Sequence, residues 1–178
     1  IAQTHANIEG RASLLRLLRF VRTLPGCENA RVEYMADYTT IRDGFRIDGE
    51  VCVSKEDYLS ARVFDDAVCY SLYFIDIHNE NGIHQEFLPP EKVPTIPFGA
   101  LIPKGSDRLL AAGRMISSDK AAHSALRVQS SCMAMGQAVG AAAALAAQSG
   151  VASRHVSLDM LRQTLREQGA IVPDLHAS

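Results

Sequence analysis

Residues 109–146 read LLAAGRMISSDKAAHSALRVQSSCMAMGQAVGAAAALA, and the fold turns on how this stretch is read. RLLAAG, from Arg108 to Gly113, predicts a buried strand that stops at Gly113-Arg114. An irregular loop carrying Arg114, His123 and Arg127 follows, and a helix opens at Gln129-Ser130-Ser131 and runs to about Gln148. In such a strand-loop-helix unit the free N–H groups and positive dipole end of the helix face whatever lies beyond the strand, which suits an electron-rich or anionic group. The helix has almost no large side chains. Gly136, Gly140 and Ala144 fall on one face, and each glycine costs about 1 kcal/mol against alanine in a helix interior. Close approach is the compensation to expect, either by another backbone in tight helix-to-sheet packing or by a flat ligand.

Upstream, GRASLLRLLRFVRT (10–23) predicts an amphipathic helix with Leu14, Leu15, Leu17, Leu18 and Val21 on one broad face and arginines largely on another, stopped at Pro25-Gly26-Cys27. Short strands are predicted around 31–35, 45–48 and 51–53. Ile41, Phe45, Ile47, Val51 and Val53 are their apolar positions, and Asp43-Gly44 and Asp48-Gly49 are hairpin turns. Ser54 with Asp57 predicts an N-cap opening a short helix to about Ala61. A strand from Val68 to His78, a turn at NENG and a proline-rich irregular stretch from His84 to Asp107 come next. VSLDMLRQTLREQGA closes as an amphipathic helix with Gly169 as its stop.

The 178 residues suffice for one sizeable domain, and the formal charge of −2, from 18 basic and 20 acidic side chains, leaves no basic tract for nucleic acid. The apolar run from Ala138 is about half the roughly 20 residues a bilayer needs, so no membrane span is expected. Cys27, Cys52, Cys69 and Cys132 lie far apart without a CxxC pair, so no metal site is expected. Buried thiols in a reducing cytoplasm are the simpler reading.

Four stretches carry a resemblance. Ala112-Gly113-Arg114, Ile116-Ser117, Arg127-Val128 and the helix from Met135 to Gly140 resemble the C-terminal flavin-binding segment of FAD-dependent oxidoreductases of the fumarate reductase and glutathione reductase superfamily. IPFGALIPKG (96–105) is similar to the I-P-Y-x-x-L-I-P-K that precedes that segment. IRDGFRIDGE (41–50) and Asp76-Ile77-His78 also have counterparts. Two departures stand out: Lys120 occupies a loop position where the family usually has histidine, and Arg42-Asp43-Gly44-Phe45 replaces R-E-T-R.

The resemblance implies a mixed α/β fold (α+β). Residues 1–95 would be part of a substrate or cap domain, 96–150 the last strand and helix of a Rossmann-like FAD domain, and 151–178 a C-terminal helix and tail. No GxGxxG occurs in the chain, so the N-terminal dinucleotide-binding half is expected to be missing. FAD would then be the parent enzyme's cofactor and would not be retained by this piece, which by itself would be inactive. On the same resemblance Gly113, Arg114, Arg127 and the amides of Val128, Gln129 and Ser130 would contact the flavin. His78, His123 and Arg42 would serve the substrate chemistry of a small molecule that exchanges hydride with flavin, with Arg46 as a possible second arm for a carboxylate. Each has a plainer alternative: a core or interface histidine, a solvated hairpin arginine or a surface ion pair. A non-catalytic binding or assembly module is the alternative for the whole chain. An orphaned strand edge at 108–113 and an uncovered Gly/Ala face predict a homo-oligomer or a domain-swapped arrangement.

Overall fold

The computed structural model describes residues 2–40, 42–79 and 82–175. Contacts divide the chain into two compact units, Ile1–Arg42 and Asp43–Ser178. The predicted position Ile41, and Glu80 and Asn81 of the predicted turn, lie outside the described residues.

In the first unit, helix α1 (Ala2–Val21) starts earlier than its leucine periodicity suggests. The chain after it forms turns and an irregular return rather than a strand at 31–35. Side chains hold that return. Asn7 Oδ1 accepts the Thr39 N–H at 2.8 Å, Thr39 Oγ1 donates to the Ala6 carbonyl at 3.1 Å, and Arg22 Nε donates to the Ala30 carbonyl at 2.9 Å. Gly10 is required here because a Cβ at that position would sit 2.7 Å from Thr39 Oγ1.

The second unit is mixed α/β. Ser54 caps α2 (Lys55–Leu59) with the predicted reciprocal bonds, its Oγ accepting from Asp57 N–H at 3.1 Å while Asp57 Oδ2 accepts from Ser54 N–H at 3.0 Å. The predicted strand 68–78 is broken in two. β1 (Ala67–Tyr70) and β2 (Ile75–Asn79) belong to different sheets: β1 runs antiparallel to β4 (Thr95–Pro97), and β2 pairs with β3 (Gly82–Glu86). A 3-10 turn at Phe98–Leu101 leads towards α3 (Lys120–Leu126), α4 (Gln129–Ser149) and α5 (Leu158–Glu167). Gly169 follows α5 with φ +79°, as a helix stop requires.

The strands expected at 45–48 and 51–53 do not form as a hairpin, because their backbone groups go to distant partners. Ile47 N–H donates to Met115 O, Glu50 N–H to Ile102 O, Val51 N–H to Gly99 O and Val53 N–H to Ser117 O, at 2.9 to 3.2 Å. Residues 47–53 are thus laced between two loops, with only isolated bridges at Gly49–Pro103 and Val53–Ser118. Close approach explains two glycines there. A Cβ on Gly49 would lie 2.7 Å from Ser117 Cβ, and one on Gly99 would lie 2.6 Å from Val51 Cγ2. Phe45, expected on an apolar strand face, is fully exposed at 100%.

Residues 108–113 likewise form no strand. A strand needs a laddered neighbour, and this segment's backbone is tied by Ala111 N–H to Leu101 O at 2.8 Å rather than by a ladder. α4 does form over its full predicted length. Its buried row is Ser131, Met135, Ala138, Ala142 and Ala146, packed on β1 and on Leu161 and Leu165 of α5. The close helix contact therefore uses alanines, and Gly136, Gly140 and Ala144 are exposed. Among the described residues α4 is also the one helix long and apolar enough to cross a bilayer, at 21 residues with a mean hydropathy of 1.3. It buries one row against β1 and α5, and 33% of that apolar window is buried.

Two polar features brace this core. Tyr58 O–H reaches Tyr73 O at 2.9 Å and Ser71 Oγ at 3.1 Å, and Ser71 Oγ meets Ser131 Oγ at 2.8 Å, tying α2, the segment after β1 and α4 together. Burial pushes the Tyr58 phenol up, and the chain of partners keeps its oxygen satisfied. Arg162, buried on α5, donates from Nε to the Ala67 carbonyl at 3.0 Å and from Nη2 to the Asp65 carbonyl.

Candidate active site at the start of helix α4

Asp119 organises the approach to α4. Its Oδ1 caps α3 by accepting the Ala122 N–H at 2.7 Å, and its Oδ2 accepts the Lys55 N–H of α2 at 2.6 Å. His123 is consequently not in a loop, as its sequence neighbourhood suggests, but on α3. It is buried at 2% exposure and donates from Nε2 to the Arg114 carbonyl at 2.8 Å. Burial pushes its imidazole down, the bond to Arg114 O opposes this, and the positive charges of Arg46 and Arg114 add to the lowering. Its Nδ1 lies 3.8 Å from Asp43 Oδ1.

Gly113 turns the chain into this region with φ +83°, and a Cβ there would come within 3.9 Å of Cys132 Sγ in the first turn of α4. Arg127 ends α3 immediately before Val128, the N-cap of α4. The Arg127 side chain is 7% exposed and pairs with the carboxylate of Asp43, which is 66% exposed. Val128 makes no side-chain capping bond, and Gln129 and Ser130 are exposed. Cys132 Sγ donates to the Arg127 carbonyl at 3.4 Å, and burial pushes its thiol up. A groove of about 560 Å³, lined by Val68, Tyr70, Leu72, Ser130, Met133 and Gln137 among others, runs from this helix end.

A small cleft of about 40 Å³ joins a second set: Asp43, Asp76, His78, Lys120, Ser124 and Arg127. His78 and Asp76, two apart on β2 and so on one face, are 3.1 Å apart between Nε2 and Oδ2. The structure thus brings Gly113, Arg114, His123, Arg127 and the α4 amides together, and sets His78 in a cleft with Arg127. Arg42 is exposed and belongs to the first unit. Sequence reasoning missed Asp43 as the partner of Arg127, and Ser124. Nothing in local spacing links Asp43 to residue 127. Ser124 would have been legible only from its place one residue after His123 on a helix not foreseen. Among the described residues no group of three or more His, Cys, Asp or Glu side chains is placed to hold a metal.

A sequence model described as FAD dependent oxidoreductase matches residues 1–165. The chain belongs to the FAD dependent oxidoreductase family. Neither a curated protein nor a solved structure matches it. Membership in this flavin-dependent family makes FAD the cofactor against which the donor set at α4 is to be tested. The residues fit part of such a group. An uncapped helix N-terminus, an arginine beside it and a glycine turn without a Cβ suit a flat, electron-rich ring, and no GxGxxG is present to hold a pyrophosphate.

Proposed function

We propose that this chain supplies the C-terminal wall of the flavin site in an FAD-dependent oxidoreductase that moves hydride between a small organic substrate and flavin. The observation that carries the reading is the start of α4: Val128 makes no side-chain capping bond, Gln129 and Ser130 are exposed, and Gly113 and Arg127 stand beside them. Preorganised amides and the helix dipole there stabilise negative charge on a reduced flavin ring, as in an oxyanion hole. The flavin supplies the two-electron acceptor. The chain's own groups orient its edge through Gly113, Arg114 and Arg127, and keep water from one side.

The Rossmann-like character of residues 96–150 belongs to this proposal. Residues 108–113 would enter a ladder, and the face of Gly136, Gly140 and Ala144 would be covered, once the dinucleotide-binding part of the enzyme is beside them. Without that part the same open surfaces promote self-association. Of the four free cysteines only Cys69 is buried, Cys52 being exposed and Cys27 and Cys132 partly so, which corrects the expectation of buried thiols; free thiols suit a reducing cytoplasm. Titrating FAD into the purified chain, followed by quenching of flavin fluorescence, tests the reading. Weak or no binding by the chain alone, and stoichiometric binding once a dinucleotide-binding part is supplied, is the expected pair of results. Stoichiometric FAD in the chain alone would overturn the division of labour proposed here.

A further inference from the structure

The cleft between β2 and α3 holds a histidine whose hydrogen bonding already determines which ring nitrogen is available. His78 Nε2 faces Asp76 Oδ2 at 3.1 Å, and an ionised carboxylate only accepts, so Nε2 carries the proton in the neutral ring. Asp76 is itself held: its Oδ1 accepts from Gln85 Nε2 at 3.4 Å, and its backbone N–H donates to Ser124 Oγ at 3.0 Å. Ser124 Oγ in turn donates to the Ala121 carbonyl at 2.7 Å, which locks the group to α3. Asp76 is 14% exposed and His78 is 49% exposed, so the carboxylate is the fixed partner and the imidazole the accessible one. The lone pair left on Nδ1 is a proton acceptor on a residue that lines a cleft admitting only a few heavy atoms.

Two acidic and two basic side chains line the cleft, and their pairing among the described residues leaves one cation, the exposed Lys120, to face an anionic guest. Asp43 is matched by Arg127 and Asp76 is engaged by His78 and Gln85, whereas the Lys120 ammonium has no partner among the described residues. We propose that this cleft takes a small hydroxy carboxylate, with His78 Nδ1 accepting the hydroxyl proton and Asp76 acting as a positioning residue. The substrate carboxylate faces Lys120. The inference rests on the flavin reading above for the fate of the hydride. With flavin bound, the C–H bond would break and its electron pair would leave with the hydrogen to that acceptor. The O–H proton goes to Nδ1, and the C–O bond becomes C=O, so the substrate loses two electrons and two hydrogens in balance. A carboxylate that fixes the tautomer and orientation of a histidine base is the general logic of such pairs.

The ¹⁵N-labelled 178-residue chain tests this without flavin. Long-range ¹H–¹⁵N spectra at alkaline pH, where imidazole is neutral, are expected to show His78 protonated at Nε2. Asp76→Ala should populate both tautomers, while His84, paired with Glu86 on the other face of the β2–β3 hairpin at 2.7 Å, stays unchanged and reports that the hairpin is intact. Glycolate should shift the His78 Nδ1 resonance saturably. Propionate, which has the charge without the hydroxyl, should not, and Lys120→Met should weaken the glycolate effect by about three- to fivefold. An Nδ1-protonated His78, a tautomer indifferent to Asp76→Ala, or the same response to both acids would overturn the proposal. A glycolate response in a chain that takes up no FAD even with a dinucleotide-binding part supplied would count against the flavin reading instead.

Discussion

At the scale of single residues, the site depends on charges placed where solvent is scarce. His123 is the clearest case, because burial and two arginines lower its affinity for a proton relative to the ordinary histidine value of 6.5. A group whose folded value is depressed stabilises the fold above its unfolded value and loses that contribution as pH falls through the folded one. Stability should therefore drop as pH is lowered below about 6.5, with a slope from this one group of at most about 1.4 kcal/mol per pH unit. His123→Gln keeps a donor for the Arg114 carbonyl and removes the titration. Urea unfolding at several pH values should show a flatter profile for that variant between neutral pH and pH 5, and an unchanged slope would remove His123 as the cause. Cys69, by contrast, is chemically quiet, since burial pushes its thiol up to about 12.

Among the elements, α4 is the most informative. Its alanine row is buried and its glycine row faces out, which reverses the intuition that glycine marks the closest contact. A Cβ at Gly136 or at Gly140 would meet nothing within 4 Å. Each Gly→Ala change should then stabilise the chain by about 1 kcal/mol through helix propensity alone, measurable as a higher urea midpoint at unchanged m-value. If a dinucleotide-binding sheet packs on that face in the whole enzyme, the double variant will lower FAD retention there while leaving the isolated chain more stable. Equal FAD retention would mean that nothing approaches the glycines closely. α3 teaches a related point: a seven-residue helix carries no strong periodic signal, and its cap, Asp119, is shared with the Lys55 N–H from another part of the chain.

For the whole molecule, exposed apolar surface sets the expectation. Met133, Leu72 and Ile171 are exposed at 68%, 67% and 81%, and they border the groove beside the open face of α4. Light scattering across a tenfold range of concentration should show a mass rising above that of the 19.3 kDa monomer. Met133→Lys, which puts a charge at the rim of that surface, should shift the chain back toward monomer. A constant monomer mass would remove self-association from the reading.

What the sequence determined by itself were the elements whose causes are local. α4 and α5 follow from helical periodicity and a glycine stop, the start of α2 from the Ser54–Asp57 capping box, and the family from motifs at 96–105 and 112–140. Tertiary structure alone decided whether 45–53 and 108–113 become strands, because a strand exists only where a neighbour completes its ladder. Here the partners of 47–53 lie about fifty residues or more away, at 99–102 and 115–117. It also decided which face of α4 is buried, and that Asp43 meets Arg127 while Asp76 fixes His78. Long-range electrostatic pairs leave no periodic trace in a sequence, since their energy depends on distance in space and on burial rather than on spacing along the chain.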